Sequence, residues 1–514
     1  EFGWGLGRDV ATQEEPGFVQ TKAFQLDNGD FTLWRNFDSQ NQPPEAQYII
    51  WRSIEDERRN QRYDLLLAEE DSRSFLPNVK VGFMSSKGSR NVRDEFITFL
   101  TEDLASLDTS SPDGVIEQSN DPNAPFENFD NIEMYGYQLA ADVDIQVESK
   151  AYYLMFDKRL LNERFRLIGG ARFEQNTSEV SANGDLVLRG GGSPNPLEFL
   201  PKTGGYSLEG WYPGLTAIFD FSNSFNIKLA YSETIALPSP REVSPYGTSE
   251  FNGGDVDVGN AKLQPSNVRS CDLGLNYVHD ERNFIGITFF RKEVESRIEK
   301  IAALGADNFT EITNPDPFDY NSYQLLTYSQ NIGAGLSSWY NNPNQAVLKG
   351  VEFEARKSLD FLGHVFRNFN LGGNCAYIDG EVERFPIEIA GKNLVDRPVT
   401  VLRALTEQPE YIVNADITYD NPDWGFRASL IYYHISDVLE MTSLADSDDV
   451  YSKDYGQVDL TLSKTFREKY KLSFSAKNLT NTYRQSFYDA EGLEVTRHKY
   501  RVGSSFSLGL SYEF

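Results

Sequence analysis

Apolar and polar side chains alternate one by one through many segments of this chain. The last strand-like segment shows it most clearly, because Phe506, Leu508, Leu510 and Tyr512 take alternate places and Gly or Ser fills the places between. Successive side chains of a strand point to opposite faces, so this period of two predicts strands with one oily and one polar face. The solvent that meets the oily face then decides the fold class.

The polar face of the interior strands carries full charges of both signs. In 351–356, for example, Val351 and Phe353 alternate with Glu352 and Glu354. A soluble β sandwich would bury the oily face and show these charges to bulk water. A membrane barrel would show the oily face to lipid and the charges to a wet lumen. The charges that we assign to this face are Arg166, Arg172, Glu174, Glu352, Glu354, Arg356 and Asp459.

The connections between predicted strands fall into two classes. Short polar turns lie near 69–78 and at 157–163, 222–224, 279–283, 360–366, 420–424 and 467–470. Long segments rich in Asn, Asp, Gly, Pro and Ser lie at 91–146, 179–210, 237–264, 297–344, 381–407 and 481–499. Short turns at one rim and long loops at the other are typical of outer-membrane barrels, and aromatic residues also gather at the strand ends. The sequence therefore predicts an all-β, transmembrane, antiparallel β-barrel with long extracellular loops and short periplasmic turns.

Composition agrees with this class and excludes others. Mean hydropathy is −0.48, and the chain has no run of roughly 20 apolar residues that could form a membrane helix. A search for such runs does not detect membrane strands, because apolar and polar residues alternate in them. The net charge of −29 would repel a phosphate backbone, so no nucleic-acid partner is expected. The two cysteines, Cys271 and Cys375, fall on oily faces and give no disulfide framework.

The predicted strands number about 15, with the first at 47–68 and the last at the chain end. We expect 1–46 to form an extracellular loop region with a surface hairpin in "FQLDNGDFTLW", and 47–514 to form the C-terminal part of the barrel. Single-chain bacterial barrels normally have an even number of strands. The odd count predicts that these 514 residues begin partway round a larger barrel and cannot close alone.

Seven segments, in this order and spacing, resemble TonB-dependent outer-membrane receptors. They are "YSETIALPSPREVSPY", "LQPSNVRSCDLGLNY", "LKGVEFEARKSL", "PEYIVNADITYDNPDWGFRASLIYY", "VDLTLSKTF", "LSFSAKNLTN" and the terminal aromatic strand. The resemblance implies a 22-stranded barrel in the outer membrane of a Gram-negative bacterium. It also implies an N-terminal plug, with a TonB-contacting segment and the first strands, outside this sequence. The final Phe514 resembles the aromatic signal that the family's assembly machinery recognises.

The resemblance further implies active import of a nutrient ligand, such as a siderophore, an oligosaccharide or a peptide. The partners would be the ligand, outer-membrane lipid and the TonB complex, which would act through the plug. The alternative function is a non-transporting barrel platform in a surface or secretion complex. A surface lipoprotein is a candidate partner in either case.

The chain lacks motifs for covalent chemistry, so we predict no enzyme and no cofactor. There is no G-x-S-x-G, P-loop, H-E-x-x-H or Cys-x-x-C motif, and no histidine has a cysteine or a second histidine at metal-binding spacing. Acidic segments at 253–260 and 444–450 could hold Ca²⁺ by their carboxylates, but they lack the spacing of a calcium loop, and we interpret them as solvated loop charge.

Aromatic residues within Asn-, Ser- and Gly-rich loops are the predicted substrate contacts. They are Trp339 and Tyr340 in "SSWYNNPNQ" and Tyr246 and Phe251 in "PYGTSEFNGG". Such side chains suit stacking on sugars or flat ligands, although loop folding or membrane anchoring would use them too. We predict that the charges of the lumen face hold the plug.

Overall fold

The computed structural model consists almost wholly of strands. It describes residues 2–15, 23–25, 31–33, 47–67, 77–101, 132–183, 187–188, 195–196, 202–249, 256–303, 311–313, 336–383, 388–390, 402–443, 449–467, 469–490 and 493–512. In these residues there is one short α-helix, α1 (Pro240–Val243), and there are two 3₁₀ turns, Asp360–Leu362 and His364–Phe366. No helix among them is long and apolar enough to cross a membrane.

Thirty-one strands are present in the described residues. In chain order they are β1 (Phe2–Glu15), β2 (Ala23–Gln25), β3 (Phe31–Leu33), β4 (Gln47–Leu67), β5 (Asn78–Thr101), β6 (Ile132–Leu160), β7 (Phe165–Asn183), β8 (Val187–Leu188), β9 (Asn195–Pro196), β10 (Thr203–Asp220), β11 (Phe225–Ala236), β12 (Gly247–Ser249), β13 (Val256–Val258), β14 (Ser266–Asp280), β15 (Asn283–Glu295), β16 (Arg297–Ala303), β17 (Glu311–Thr313), β18 (Leu336–Asn342), β19 (Ala346–Ser358), β20 (Phe369–Glu383), β21 (Glu388–Ala390), β22 (Leu402–Ala404), β23 (Tyr411–Asn421), β24 (Phe426–Ile435), β25 (Val438–Ser443), β26 (Asp449–Ser452), β27 (Tyr455–Phe466), β28 (Tyr470–Lys477), β29 (Tyr483–Ala490), β30 (Leu493–Arg501) and β31 (Ser505–Tyr512).

Sixteen of these strands form the wall, and each pairs antiparallel with the next wall strand along the chain. The order is β1, β4, β5, β6, β7, β10, β11, β14, β15, β19, β20, β23, β24, β27, β28 and β31. The three-residue strand β22 pairs with the C-terminal end of β20, at 381–383, and is the seventeenth strand of the same sheet. This nearest-neighbour order confirms the predicted antiparallel wall.

The predicted asymmetry of the connections is confirmed. The links at 161–164, 221–224, 281–282 and 422–425 are short and lie at one rim, and 467–469 lies at that rim too. The strand ends at 236/266, 295/346 and 383/411 lie at the opposite rim, and many more residues separate them along the chain. We refer to these as the short-turn rim and the long-loop rim.

The N-terminal segment corrects one expectation. Residues 2–15, which we expected to be loop, form strand β1, paired with β4 from Phe2–Leu65 to Glu15–Arg52. Its glycines at 3, 5 and 7 and its charged second half weaken the alternation that marks the other strands. The expected hairpin in 24–34 is present as β2 and β3. The wall thus has 16 strands instead of 15, and the argument from an odd count fails.

The two long strands β5 and β6 correct a second expectation. The segment 91–146, expected to be a loop, is strand as far as Thr101 and again from Ile132. The charged stretch "RNVRDE" concealed the continuation of β5, because it alternates poorly. The wall therefore rises well beyond the membrane on this side.

Within the described part of the chain, the last strand has one registered partner. β31 pairs with β28 along one edge, and its residues are exposed on both faces. Both edges of β4 are taken, by β1 and by β5, so β31 does not bond to it in register as a closed 15-stranded wall would require. Among the described strands, no register joins β31 to β1.

The outward face of the wall is apolar and exposed, as the alternation predicted. Leu508, Leu510, Phe353 and Leu430 are 73%, 75%, 40% and 45% exposed, and the registers place them on one continuous surface. Exposed leucine and phenylalanine over a whole sheet face would aggregate in water, and hydrocarbon is the solvent that suits them.

Aromatic rings form two belts on this outward face. Towards the long-loop rim, rings on neighbouring strands contact each other, with centroids 5.0 Å apart for Phe83 and Tyr152 and 5.2 Å for Phe173 and Trp211. A second belt near the short-turn rim includes Phe369 and Tyr419, 5.0 Å apart. Eight residues separate the belts on several strands, as in Phe165/Phe173, Trp211/Phe219, Phe369/Tyr377 and Tyr411/Tyr419.

This spacing fits a bilayer. Eight residues at about 3.3 Å each span about 26 Å along a strand, and a strand tilt of about 40° reduces this to about 20 Å of height. The apolar band of such barrels is about 25 Å tall, flanked by aromatic residues. The belts therefore mark the two membrane surfaces, and the strand segments between them are the membrane-spanning part.

Candidate functional site

The connections at the long-loop rim fold into a second sheet above the membrane. Its eight strands, in spatial order, are β12, β13, β18, β16, β25, β26, β29 and β30. Most pairs are antiparallel, but β13 lies parallel to β18 and β16 lies parallel to β25. Both parallel pairs join connections that are distant in sequence. We call this structure the outer sheet, and it holds the loop bases together above the lumen.

A stacked arginine links two of the predicted substrate contacts. Helix α1 begins at Ser239, which forms a capping box with Glu242, and this fixes Arg241 beside the sheet. The Arg241 guanidinium lies 5.0 Å from the ring centre of Tyr246 and 5.4 Å from that of Trp339. It also donates a 2.6 Å hydrogen bond from Nη2 to the Asp257 carbonyl. Stacking of a cation on aromatic faces stabilises this part of the outer sheet.

A second cation approaches Trp339. The Lys300 ammonium lies 5.2 Å from the Trp339 ring centre and 2.8 Å from the Asp257 carboxylate. Tyr246 is 6% exposed, whereas Trp339 is only half-buried. Of these two predicted contacts, Trp339 is the one that a ligand can reach in this structure.

Tyr340 is part of a buried polar network. It is 1% exposed, and its hydroxyl donates a 3.0 Å hydrogen bond to Oε2 of Glu299, which is itself 1% exposed. The Asn342 amide donates to the same oxygen at 2.9 Å, and the Arg403 guanidinium at 2.5 Å. Arg297 Nε lies 3.5 Å from the other carboxylate oxygen.

The network joins three separate elements, β16, β18 and β22. Glu299 and Tyr340 are each 1% exposed and Asn342 is fully buried, so the network lies in a dry interior. Burial raises the pKa of the Tyr340 phenol, which keeps it a neutral donor beside the carboxylate. The Tyr340 side chain therefore stabilises the outer sheet, and a ligand cannot reach it in this structure. Phe251, the fourth predicted contact, lies outside the described residues, as does Phe514.

The predicted lumen charges lie on the face opposite the apolar surface, and several are paired. Arg166 binds Asp157 on the neighbouring strand, with Nε 3.0 Å from Oδ1. Arg172 donates to Glu174 on its own strand. Arg356 Nη2 lies 3.3 Å from Asp416 Oδ1.

Three further carboxylates differ in how they are held. Asp459 accepts hydrogen bonds from Gln457 Nε2 and from the backbone N–H of Asn478, each at 2.8 Å. Glu352 and Glu354 are exposed and have no hydrogen bond or ion pair within the described part of the chain. Within these residues, the two carboxylates of β19 thus face the lumen without a cationic partner, whereas their neighbour Arg356 is paired.

An arginine–tyrosine cluster in the upper lumen was not among the predicted contacts. The Arg484 guanidinium lies 3.1 Å from the ring centre of Tyr455, whose centroid is 5.7 Å from that of Tyr433. We call these three residues the Arg484 cluster. In the sequence Tyr433 alternates with the apolar residues Leu430 and Tyr432 of the outward face, so alternation predicts it on the polar face, but only the pairing of the connections brings β29 and Arg484 to it.

No metal-binding group is evident. The described residues contain no cluster of three or more His, Cys, Asp or Glu that could hold an ion. His434 stacks between Tyr411 and Tyr432 in the outward belt, at 5.7 and 6.2 Å, so it faces away from the lumen.

Comparison with known proteins places this geometry in a family. The family model described as "TonB dependent receptor-like, beta-barrel" matches residues 4–479. No curated protein sequence matches the chain.

Two solved structures have a similar fold. The copper transporter OprC is 13% identical with a TM-score of 0.54, and the alignment covers 100% of this chain and 63% of OprC. The ferric yersiniabactin uptake receptor FyuA from Yersinia pestis is 12% identical with a TM-score of 0.52, covering 99% of this chain and 59% of FyuA. The chain therefore spans less than two thirds of either protein. The family match extends over most of the chain and agrees with the wall, its belts and its loop asymmetry: the chain belongs to the TonB-dependent receptor β-barrels of the Gram-negative outer membrane.

Proposed function

We propose that the chain is the barrel of an active importer that brings a nutrient ligand across the outer membrane. The observation that carries this proposal is the inner face of the wall, which is lined with charges and is overhung by a packed outer sheet. Such a passage suits a polar ligand that is first held outside and then released inwards. The barrel would act by binding and positioning, with no covalent step.

The Arg484 cluster is the proposed ligand contact. Its two phenol rings offer stacking surfaces, and the guanidinium offers donors to an acidic group. Trp339, half-buried at the outer sheet, would add a second stacking surface. A ligand with a flat or sugar-like part and a carboxylate, a hydroxamate or a phenolate fits this chemistry, which includes siderophores and acidic oligosaccharides.

The lumen charges are the proposed plug contacts. Glu352 and Glu354 face the lumen without a cationic partner in the described residues, so they would attract arginine or lysine from a plug. The paired residues Arg166, Arg172, Glu174, Arg356 and Asp459 would add hydrogen bonds at its surface. We propose that the plug couples to TonB and lies outside residues 1–514, together with further strands of the wall.

Uptake in cells tests the importer. A strain that lacks the full-length gene is complemented with wild type, with Arg484→Gln, or with Trp211→Ala as a control on the outward belt. Growth is compared on limiting iron, copper and oligosaccharide sources, with and without a protonophore. We expect one nutrient to require the wild type and the proton gradient, and Arg484→Gln to raise the concentration needed for half-maximal growth.

The control separates ligand contact from barrel assembly. Trp211→Ala should leave the nutrient requirement unchanged at equal protein abundance. If no nutrient depends on the protein, or if uptake survives the protonophore, the importer proposal fails. Recovery of a stable surface complex in that case would favour the non-transporting platform, with a surface lipoprotein as its candidate partner.

A further inference from the structure

The hairpin of β29 and β30, which carries Arg484, leaves the wall through two left-handed residues. Asn478 directly follows β28 and has a φ of 55°, and Gly503 lies just before β31 and has a φ of 83°. Glycine takes this conformation readily, and asparagine takes it more easily than most other residues. The two turns lie side by side, because Lys477 and Ser505 are registered partners at the ends of β28 and β31.

The two turns are fastened to each other. Asn478 Nδ2 donates a 2.8 Å hydrogen bond to the Gly503 carbonyl, and Ser504 Oγ donates a 2.7 Å bond to the Asn478 carbonyl. A Cβ at position 503 would meet no atom within 4 Å, so the glycine serves the backbone conformation and not a close approach. We call Asn478, Gly503 and Ser504 the hairpin base. Asn478 holds both legs of the hairpin at once.

A carboxylate from a third strand orients the hairpin base. Asp459 of β27 accepts two hydrogen bonds at Oδ1, from the backbone N–H of Asn478 and from Gln457 Nε2, each at 2.8 Å. The Leu479 N–H also donates to the Val458 carbonyl, at 2.8 Å. Hydrogen bonds to an ionised acceptor are roughly twice as strong as neutral ones. The direction in which the hairpin leaves the wall is therefore fixed from the lumen face of β27.

The first leg of the hairpin stays beside β27 as far as Arg484. The Thr482 hydroxyl donates a 2.6 Å hydrogen bond to the carbonyl of Gly456. Gly456 directly follows Tyr455, whose ring centre lies 3.1 Å from the Arg484 guanidinium. The pairing of β29 with β26 includes Ser486 and the residues after it, beyond Arg484. Arg484 is therefore attached to the wall through β27.

We propose that Asp459 and Asn478 are positioning residues for the Arg484 cluster. The carboxylate holds the hairpin base, and the hairpin base holds the guanidinium over Tyr455, so both residues act on a ligand only through Arg484. This inference rests on the proposed role of Arg484 as a ligand contact. An arginine side chain is costly to order when a ligand binds, and one that is already in place reduces that cost.

The same carboxylate keeps a second oxygen for the lumen. Asp459 Oδ2 has no hydrogen bond within the described part of the chain, whereas Oδ1 is used by Gln457 and Asn478. The positioning role and the proposed plug contact therefore use different atoms of one side chain.

Modification of arginine by phenylglyoxal tests the positioning without any ligand. The purified full-length protein in detergent is treated with this guanidinium reagent, and the rate at Arg484 is followed by peptide mass spectrometry. Asp459→Ala removes the acceptor, and Asp459→Asn keeps an acceptor oxygen. Asn478→Gly keeps the left-handed turn and the N–H but loses the side-chain amide. The matched control, Asp416→Ala, removes a lumen carboxylate from β23, away from the hairpin base.

We expect Arg484 to react about tenfold faster in Asp459→Ala than in wild type, since one hydrogen bond to a charged group is worth about that factor. Asn478→Gly should accelerate the reaction in the same direction. Asp459→Asn should recover most of the protection, and Asp416→Ala should match wild type. An unchanged rate in Asp459→Ala, or no recovery in Asp459→Asn, would overturn the proposal.

Arg403 is the internal reference that separates positioning from folding. Its side chain is 6% exposed in the outer sheet, so its modification reports opening of that sheet. If Arg403 accelerates together with Arg484 in Asp459→Ala, the carboxylate serves the fold and the positioning proposal is wrong. The measurement needs neither a nutrient nor a proton gradient. Its failure is therefore distinguishable from failure of the importer proposal, which the growth test decides.

Discussion

At the scale of single residues, we expect substitution of the Glu299 carboxylate to destabilise the protein most. It is 1% exposed, and it is the acceptor for Tyr340, Asn342 and Arg403 at once. The Arg403 side chain is 6% exposed, so its charge has almost no water to turn to. A buried charge that loses its partner is far more costly than the pair was favourable.

Glu299→Gln should therefore loosen the outer sheet. We expect a loss of about 3–5 kcal/mol, because the guanidinium of Arg403 keeps its burial and loses its counter-charge. Hydrogen exchange followed by mass spectrometry should show the amides of β16 and β18 exchanging at least about a hundredfold faster. The control is Glu354→Gln, which removes an exposed carboxylate from the lumen face. Equal exchange in both variants would show that the network does not stabilise the sheet.

At the scale of the strand, facing is the property that matters. Leu430 lies midway between Phe426, near the short-turn rim, and His434, in the upper belt, so it lies near the bilayer midplane. Leu430→Lys should cost about 2–4 kcal/mol of folding free energy in lipid, because a charge there meets hydrocarbon. Unfolding with urea in vesicles measures it. Glu354→Lys, on the lumen face, should cost much less, and a similar cost for both would contradict the assigned faces.

Cysteine labelling tests the same alternation residue by residue. In a variant with Cys271 and Cys375 replaced by Ala, single cysteines are placed at Phe353 and Glu354. A charged, water-soluble maleimide should label the position of Glu354 in membranes and leave that of Phe353 unlabelled. Labelling of position 353 with protection of 354 would reverse the two faces. The native Cys375, exposed on the outward face between the two belts, should also resist this reagent in the wild type.

At the scale of the whole molecule, the edge of β31 that has no registered partner among the described strands decides how the wall closes. Lipid supplies no partners for open backbone groups, so this edge must be covered in the membrane. We propose that strands from outside residues 1–514 lie between β31 and β1. In the full-length protein, cysteines at Gly509 and Gly5 should then form no disulfide under oxidation. The pair Ser473/Gly509, which are registered partners on β28 and β31, should crosslink readily. A crosslink between positions 5 and 509 would show that the 16 strands close by themselves.

How far the sequence could predict this molecule depends on the range of each interaction. The face of Phe353 and Glu354 follows from neighbours two residues away, so alternation predicted it. Strand β1 was not predicted, because its glycines have no side chains that could show the alternation of apolar and polar residues. The structural role of Tyr340 could not be predicted. Tyr340 and Arg403 both donate to Glu299, and Arg403 comes from a connection that is distant in the sequence. The Arg484 cluster depends on strand registers, and the amino-acid composition does not predict those.

The eight-residue interval between the aromatic belts has a consequence for the membrane itself. A single helix that is too long for its bilayer can tilt, but a strand in this wall is bonded on both sides and cannot reorient alone. The height of the apolar band is therefore a fixed property of the protein, and the lipids must stretch or compress to match it. The height of the apolar band therefore sets the thickness of the bilayer around the protein. Neighbouring proteins whose belts lie the same number of residues apart would share that deformation and gather beside it.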